Sequence, residues 1–246
     1  MKILVNGAAG RMGQALRSMI ERGSYGAALA GMADAYAQVP GMLQSLAAFT
    51  GEADCIVDFS NHAATETLVD CAAGWKMPLV IATTGQTEEE MNLIRQAAEQ
   101  VPVFYSGNMS LGIAVLTELT KTVVRTFPNA DVEIVESHHN QKLDVPSGTA
   151  LMLGKAVQAV RPGARLVVGR NHDGMRTPDE VGIHSLRLGT TVGIHEVIVH
   201  TGSQVLTLRH EAQDRALFAE GALAAAAFLV GRTPGLYDMS DLVTQP

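Results

Sequence analysis

The sequence predicts an α/β fold: an N-terminal Rossmann-like, doubly wound parallel sheet, followed by a C-terminal α+β domain with a mixed or antiparallel sheet. Up to residue 105, short apolar strands alternate with helices, a pattern typical of parallel βαβ units. Beyond residue 164, apolar strands follow one another without helices between them, which favours mixed or antiparallel pairing. We therefore expect a first domain at 1–107 and a second domain that begins at 108.

The composition predicts a large apolar core and disfavours nucleic acid and membranes as partners. Hydrophobic residues make up 47% of the 246 residues, and the formal net charge is −7. An acidic chain offers no basic surface to nucleic acid or anionic lipid. The longest apolar run, 222–230, covers about half a membrane span. The start of the chain has no apolar segment long enough for a signal peptide, so we expect a cytoplasmic protein.

Five strands are expected in the first domain, at 2–6, 28–32, 55–59, 78–81 and 102–105. Helices are expected after the first glycine loop and at 41–49, 61–74 and 87–100. The last of these has a suitable N-cap in Thr87, which is followed by an acidic first turn. Right-handed crossovers between such strands produce a doubly wound sheet.

The second domain is expected to combine long helices with consecutive strands. Helices are predicted at 111–127 and 149–160, on either side of a strand at 131–136. Further strands are predicted at 165–169, 182–188, 194–200 and 204–210. The final helix, 214–230, is rich in alanine and apolar nearly all round, so we expect it to be buried.

A glycine-rich loop connects the first strand to the first helix and predicts a dinucleotide site. The loop reads Gly7-Ala8-Ala9-Gly10-Arg11-Met12-Gly13. Glycines allow the backbone to approach a pyrophosphate, which the helix N-terminus then attracts. A glycine-rich packing turn is the alternative. Asp34 follows the second strand, where an acid commonly binds the adenosine ribose and disfavours a 2′-phosphate, although Arg11 keeps NADPH use open.

Small polar residues end the third, fourth and fifth strands of the first domain. They are Asp58-Phe59-Ser60, Thr83-Thr84-Gly85 and Gly107-Asn108-Met109-Ser110. Carboxyl ends of parallel strands line the ligand crevice, so these residues suit a nicotinamide and its ribose. Ordinary turn chemistry explains them equally well.

The segment from Glu136 to Ala150 places two histidines, a lysine and a Ser-Gly-Thr turn between a strand and a helix. Cationic and proton-bearing groups beside a helix N-terminus predict a site that binds a carboxylate and manages a proton. A strand end with a solvated loop charge is the alternative. A zinc site is disfavoured because adjacent residues of a strand point to opposite faces, and no further ligand follows at a usual spacing.

These segments together resemble the 4-hydroxy-tetrahydrodipicolinate reductase (dihydrodipicolinate reductase) family. The resemblance covers essentially the whole chain in order, and 136–150 is its most specific part. Further matches lie at 57–60, 83–85, 108–112, 185–187, 193–197, 218–223 and 234–241. The family implies reduction of 4-hydroxy-tetrahydrodipicolinate to tetrahydrodipicolinate in the diaminopimelate route to lysine, with NADH or NADPH as cofactor. It also implies a homotetramer built through the second domain, 108–213, with residues 214–246 packed on the first.

The resemblance assigns roles to individual residues. It implies His138 as catalytic acid/base and Lys142 as proton donor. Substrate carboxylates would be bound by His139, Ser147, Gly148 and Thr149. The cofactor would be bound by Gly7, Ala8, Ala9, Gly10, Arg11, Met12, Asp34, Ala82, Thr83, Thr84, Ser106, Gly107, Asn108 and Met109. Two departures stand out: Ala82 replaces a glycine usual in the family, and no basic residue follows the second strand, which slightly favours NADH.

Two rival interpretations stay open from the sequence. A catalytically silent nucleotide-binding sensor would share the fold but need no proton-bearing loop. Another two-domain dehydrogenase, such as a semialdehyde dehydrogenase, would need a cysteine nucleophile in an active-site loop. The two cysteines, Cys55 and Cys71, instead fall within a predicted strand and a predicted helix.

Overall fold

The computed structural model describes residues 1–171 and 173–245 and divides the chain into two compact units. Unit 1 combines residues 1–111 with the described residues from 216 onward, and unit 2 comprises Gly112–Arg215. This agrees with the family of folds expected from the sequence, an open parallel sheet followed by a mixed sheet.

The sheet of unit 1 has six parallel strands in the order β11-β5-β4-β3-β1-β2. Its strands are β1 (Lys2–Asn6), β2 (Ala28–Ala33), β3 (Cys55–Asp58), β4 (Leu79–Ile81), β5 (Pro102–Tyr105) and β11 (Gly235–Tyr237). The central strands are apolar on both faces and wholly buried, as parallel strands covered by helices must be. The chain reverses direction across the sheet between β1 and β3, which creates a crevice at their carboxyl ends.

The helices of unit 1 are α1 (Arg11–Glu21), α2 (Thr65–Trp75), α3 (Glu88–Ala98), α6 (Ala216–Leu229) and α7 (Met239–Thr244), to which α4 (Leu111–Thr126) contributes its first residue. The predicted N-cap is confirmed: Thr87 and Glu90 form a reciprocal capping box at the start of α3. Helix α6 is buried on most sides against α1 and strands β3 to β5, as its all-round apolar sequence predicts.

The helix predicted at 41–49 is wrong. This segment forms only a 3₁₀ turn, Leu46–Ala48, capped by Ser45, while Leu43 makes a bridge to Ala33 at the edge of β2. The apolar residues of this segment pack on the core of unit 1 without forming the apolar face of an α-helix. The ring of Phe49 lies against two glycines, Gly31 and Gly51, whose lack of a side chain leaves room for it.

Unit 2 is a five-stranded mixed sheet in the order β10-β9-β6-β8-β7, as expected. Its strands are β6 (Asp131–His138), β7 (Arg165–Val168), β8 (Glu180–Arg187), β9 (Gly193–His200) and β10 (Val205–Ala212). Strand β6 pairs parallel with β8 and antiparallel with β9. Helix α5 (Gly148–Val160) and most of α4 share one apolar core with alternate residues of the sheet.

Strand β6 extends two residues beyond its predicted end at 136, through Ser137 to His138. The strand β11 and the helix α7 were not predicted. No helix in the described part of the chain is both long and apolar enough to cross a membrane.

Candidate active site

The glycine loop of unit 1 is built around close backbone contacts. Gly7 has a φ of 72°, and a Cβ there would lie 2.5 Å from the carbonyl oxygen of Phe59. A Cβ on Gly13 would lie 2.7 Å from the Cα of Ala8. Neither position has room for a side chain. Gly7 packs against the backbone that follows β3, and Gly13, in α1, packs against the backbone of the glycine loop itself. Gly10 is the N-cap of α1, which leaves the helix N-terminus available to an anion.

A cleft of about 670 Å³ opens beside this loop. Four predicted cofactor residues line it: Gly7, Ala9, Gly10 and Asp34. The carboxylate of Asp34 accepts hydrogen bonds from the backbone N–H groups of Ala9 and Tyr36, each at 3.0 Å. The volume lies in the range of cofactor pockets. No lysine or arginine is among the described residues that line the cleft. Together with the glycine-rich loop, these features fit the adenosine and pyrophosphate of a dinucleotide.

The other predicted cofactor residues do not line this cleft. Ala82, Thr83 and Thr84 follow β4, and Ser106 to Met109 follow β5. Ser106 and Asn108 bond each other, since the Ser106 hydroxyl donates to the Asn108 carbonyl at 2.8 Å. Met109 is buried, and Gly221 of α6 packs on its carbonyl so closely that a Cβ would not fit. Ala8, Arg11 and Met12 belong to the loop and α1 without lining the cleft.

A buried carboxylate, Asp58, joins the ends of three strands. Its Oδ1 accepts hydrogen bonds from the Asn6 amide at 2.8 Å and the Ser60 hydroxyl at 2.5 Å. Its Oδ2 accepts from the hydroxyl of Thr83 at 2.6 Å. Burial raises the pKa of Asp58, although these hydrogen bonds oppose the rise. The Thr83 hydroxyl therefore points to Asp58, and the Thr83 carbonyl accepts a hydrogen bond from the Gln86 side chain at 3.1 Å.

In unit 2, Glu136 and His138 lie on the same face of β6. His138 Nδ1 is 2.5 Å from Glu136 Oε2. Arg187 of β8 donates from Nη1 to Oε2 at 2.9 Å and from Nη2 to Oε1 at 2.8 Å, which makes a bidentate ion pair. The N–H of Ser147 also donates to Oε1 at 3.2 Å. A wholly buried carboxylate is thus saturated by three partners from different parts of unit 2.

These contacts set the charges of the pair. Burial works against ionisation of Glu136, but hydrogen bonds led by that of Arg187 outweigh it and hold its pKa at about 2. Burial lowers the pKa of His138, and Lys142 and Arg187 act in the same direction, against the opposing effect of Glu136. Near neutral pH the site therefore holds an anionic Glu136 and a neutral His138.

The start of α5 is held by a second histidine. The Ser147 hydroxyl caps the helix by accepting from the N–H of Ala150 at 3.2 Å, and it lies 3.1 Å from Nε2 of His195. Burial lowers the pKa of His195 to about 4. Since Ser147 is buried, Gly148 and Thr149 form the accessible first turn of α5. A Cβ on Gly148 would meet only open space.

The loop between β6 and α5 carries Lys142. A turn bond joins the Lys142 N–H to the carbonyl of His139. The Lys142 ammonium lies 2.8 Å from Asp144, and Arg187 donates from Nη2 to the Asp144 carbonyl at 2.7 Å. The structure thus brings Lys142, His138 and the start of α5 to one end of the second sheet. His139 lies just past the last residue of β6.

The two cysteines do not fit the chemistry of a thiolate nucleophile. Both cysteines are buried, Cys55 in β3 and Cys71 in α2, and burial raises the pKa of each thiol, which opposes a thiolate nucleophile. Among residues 1–171 and 173–245, no group of three or more His, Cys, Asp or Glu side chains is placed to hold a metal ion.

Several residues of this site were not singled out from the sequence. They are Glu136, Arg187 and His195. Glu136 was detectable, because residues two apart on a strand share a face and Glu136 must then lie beside His138. Arg187 and His195 carry no such signal, since they approach from neighbouring strands through long-range pairing.

Comparison with known proteins identifies the family. A family model described as "Dihydrodipicolinate reductase, N-terminus" matches residues 1–109, and one described as "Dihydrodipicolinate reductase, C-terminus" matches residues 112–243. This chain belongs to the dihydrodipicolinate reductase family.

Relatives in this family align over almost the full length. A 4-hydroxy-tetrahydrodipicolinate reductase from Caldanaerobacter subterraneus subsp. tengcongensis is 43% identical over 99% of this chain and 98% of its own. One from Alkaliphilus metalliredigens is 37% identical over 99% of each chain. The crystallised dipicolinate-bound dihydrodipicolinate reductase from Paenisporosarcina sp. TG-14 has a TM-score of 0.81 at 22% identity, with 97% of each chain covered. The last likeness concerns the fold.

Proposed function

We propose that this protein reduces 4-hydroxy-tetrahydrodipicolinate, the hydrated form of dihydrodipicolinate, to tetrahydrodipicolinate with NADH or NADPH, in the diaminopimelate route to lysine. Membership of the family over both units supports this. The single observation that carries it is the cluster at the end of β6. There Lys142 and His138 lie beside the accessible first turn of α5, which suits a small dicarboxylate that must also receive a proton.

The cofactor is proposed to bind unit 1. The adenosine and pyrophosphate fit the cleft lined by Gly7, Ala9, Gly10 and Asp34. Arg11 and Met12, in the first turn of α1, follow the pyrophosphate position, and Ala8 completes the loop. Residues after β4 and β5, namely Ala82, Thr83, Thr84, Ser106, Gly107, Asn108 and Met109, are assigned to the nicotinamide half because carboxyl ends of parallel strands line such crevices. The reduced nicotinamide supplies a hydride when bound.

NADH is the preferred cofactor in this proposal. Asp34 is fixed by two backbone donors at the edge of the cleft, where a 2′-phosphate would meet a carboxylate. No lysine or arginine among the described lining residues offsets that repulsion. Arg11 is exposed at the start of α1 and keeps use of NADPH within reach. A ratio of kcat/KM values that favours NADPH would contradict this point.

The substrate is proposed to bind unit 2. Backbone N–H groups at Gly148 and Thr149 and the dipole of α5 bind one carboxylate. His139 and Lys142 meet the other polar groups of the ring, while Ser147 shapes the turn. Loss of the 4-hydroxyl group as water gives the conjugated imine, and hydride addition to its electron-poor ring carbon would form a new C–H bond and move electrons onto that imine. The Lys142 ammonium delivers the balancing proton, and its amine is reprotonated from solvent.

A homotetramer through unit 2 is part of the proposal. One face of its sheet packs on α4 and α5, whereas the alternate residues, such as Val135 and Ile198, are left half-buried, and Leu186 is 50% exposed. This face mixes such apolar side chains with ion-paired ones, Glu133 with His184 and Glu196 with Arg209, and we propose that it pairs with further copies. Native mass spectrometry should give a tetramer, and a monomer at micromolar concentration would contradict it.

Turnover of the freshly prepared product of the preceding synthase tests the function. Purified protein, NADH and that synthase with its two substrates should consume NADH only when all are present. Lys142→Ala and His138→Gln variants should bind NADH normally and lose turnover. NADH binding by the wild-type protein without turnover would contradict the proposal and favour a nucleotide sensor.

A further inference from the structure

The contact between Glu136 and His138 determines which ring nitrogen carries the proton. Glu136 holds its carboxylate against His138 Nδ1 at 2.5 Å. A carboxylate accepts hydrogen bonds and donates none. A neutral His138 must therefore carry its hydrogen on Nδ1, and its Nε2 presents a lone pair.

Arg187 keeps Glu136 in the form that this arrangement needs. Its guanidinium binds both carboxylate oxygens, and Ser147 N–H adds a third bond to Oε1. These partners come from β8 and from the residue before α5, so the carboxylate cannot rotate away from His138. Arg187 also donates to the Asp144 carbonyl at 2.7 Å, so the same guanidinium holds both Glu136 and the loop that carries Lys142.

The other ring nitrogen of His138 faces a glycine. A Cβ built on Gly193, the first residue of β9, would lie 3.1 Å from His138 Nε2. No φ in the left-handed range explains that glycine, so its lack of a side chain matters for the space beside Nε2. The charged and titratable groups around His138 are Glu136 on its own strand, Arg187 on β8, His195 on β9 and Lys142 in the loop.

We propose that Glu136 is a positioning residue that holds His138 in the Nδ1–H tautomer, so that Nε2 works as an acceptor and Lys142 is the proton donor. This inference rests on the proposed reductase activity. It assigns the role of hydrogen-bond acceptor to His138 and the role of proton donor to Lys142. A neutral imidazole with its lone pair at Nε2 has no proton to give from that atom. His138 Nε2 can therefore accept a hydrogen bond but cannot donate one, and Lys142 delivers the proton to the substrate. Arg187 holds both Glu136 and the loop that carries Lys142 in place.

A single acid-to-amide change tests this assignment. In Glu136→Gln the side-chain amide can donate to Nδ1, which moves the His138 hydrogen to Nε2. We expect kcat to fall on the order of 10²–10⁴-fold while the KM for the substrate changes little, because the His138 tautomer is altered and the Gly148–Thr149 turn stays in place. Nitrogen NMR of the histidine rings should show an unprotonated Nε2 for His138 in the wild type and a protonated Nε2 in the variant, with His138→Gln giving the assignment.

The chain contains a matched control. Glu133 lies three residues earlier on β6, on the opposite face, and also contacts a histidine and an arginine: its Oε2 lies 2.8 Å from His184 Nε2, and its Oε1 accepts from Arg176 Nε at 3.3 Å. Glu133→Gln therefore removes an equivalent carboxylate without touching His138. It should leave kcat and the His138 resonances unchanged. A fall in kcat equal to that of Glu136→Gln would overturn the inference.

A second variant keeps the inference testable if Glu136→Gln does not fold. Gly193→Ala adds a methyl group beside Nε2 and leaves Glu136 intact, so kcat should fall while the Nδ1–H tautomer persists. A wild-type His138 protonated at Nε2 near neutral pH, or full activity in Glu136→Gln or Gly193→Ala, would overturn the inference. Neither result touches the proposed reaction, which fails only if the wild-type protein does not turn over the substrate.

Discussion

Two buried carboxylates, one in each unit, show opposite ways to keep an acid inside a protein. Glu136 and Asp58 are both fully buried. Glu136 is met by the guanidinium of Arg187, and its pKa falls to about 2 despite burial. Asp58 is met only by neutral donors from Asn6, Ser60 and Thr83, and burial raises its pKa. The same chemical group is therefore a fixed anion in unit 2 and a hydrogen-bond hub in unit 1.

We attribute the difference to what each region is proposed to bind. The proposed cofactor cleft lies beside a glycine loop whose backbone makes close contacts, and Asp58 ties the neighbouring strand ends together. The substrate loop is made of charged side chains, which an ion pair must hold in place. We therefore expect charge changes in unit 2 to affect turnover, and shape changes in unit 1 to affect stability.

Loss of the Lys142 ammonium should have the largest effect. Lys142→Ala removes the proposed proton donor, so kcat should fall on the order of 10²–10⁴-fold, which corresponds to about 2.7–5.5 kcal/mol. The lysine is paired with the exposed Asp144, so the free energy of unfolding should change by less than about 0.5 kcal/mol. Steady-state kinetics and urea unfolding measure the two quantities. Unchanged turnover would remove the role given to Lys142.

Acid-to-amide changes at the two buried carboxylates should separate the units. Glu136→Gln leaves Arg187 without its anion and should lower the free energy of unfolding by about 1–3 kcal/mol. Asp58→Asn keeps acceptor and donor groups for its neutral partners and removes a costly charge, so stability should change by less than about 1 kcal/mol. Unfolding of unit 1 can be followed by the fluorescence of its single tryptophan, Trp75, and that of unit 2 by hydrogen exchange in β6.

A larger loss from Asp58→Asn than from Glu136→Gln would reverse the comparison. It would show that the hydrogen-bond hub, rather than the ion pair, depends on its charge.

The effect of pH on stability should differ in sign between the two carboxylates. The pKa of Glu136 is about 2 in the folded protein and about 4.5 ordinarily, so its stabilising contribution is complete above about pH 4.5 and is lost as the pH falls towards 2. The pKa of Asp58 is raised on folding, so its protonation at falling pH favours the folded state. The protection of β6 amides from hydrogen exchange, measured relative to the intrinsic rate at each pH, should fall below pH 4.5 in the wild type and less steeply in Glu136→Gln.

Identical acid sensitivity in wild type and Glu136→Gln would show that the Arg187 pair contributes nothing to folding. Asp58→Asn serves as the control, since it should leave the acid response of β6 unchanged.

The smallest expected effect comes from one methyl group at α5. Gly148 has open space around it, so Gly148→Ala should leave stability within about 0.5 kcal/mol and raise the KM for the substrate several-fold by filling the proposed carboxylate position. Gly13→Ala is the contrasting change, because its Cβ meets backbone atoms of the glycine loop and should cost about 1–3 kcal/mol of stability. Equal KM values for Gly148→Ala and wild type would place the carboxylate elsewhere.

The sequence predicts the fold well where a periodic pattern and packing agree. Strands β1 and β5 begin and end at the predicted residues, and the Thr87 cap forms as expected. The pattern failed at 41–49, where Phe49 is placed by tertiary contact with Gly31 and Gly51. Strand β11 has three residues, too few to show a period of two in the sequence. It forms by pairing with β5, a long-range contact that no local pattern predicts.

The sequence predicted the residues of the loop between β6 and α5, but not the residues from other strands that hold this loop in place. His138, Lys142 and the start of α5 follow one another in the chain, so a single segment displays them. Arg187 and His195 reach the same place from β8 and β9, and their roles depend on sheet register that no local pattern contains. The role of Asp58 likewise depends on the alignment of β1, β3 and β4.

The central claim is that the loop between β6 and α5 binds the dicarboxylate substrate. A crystal structure of the protein with NADH and dipicolinate, a planar dicarboxylate, tests it most directly. We predict one carboxylate on the N–H groups of Gly148 and Thr149, with Lys142 turned from Asp144 towards the ligand. Dipicolinate bound away from this loop, with the Lys142–Asp144 pair intact, would contradict the account.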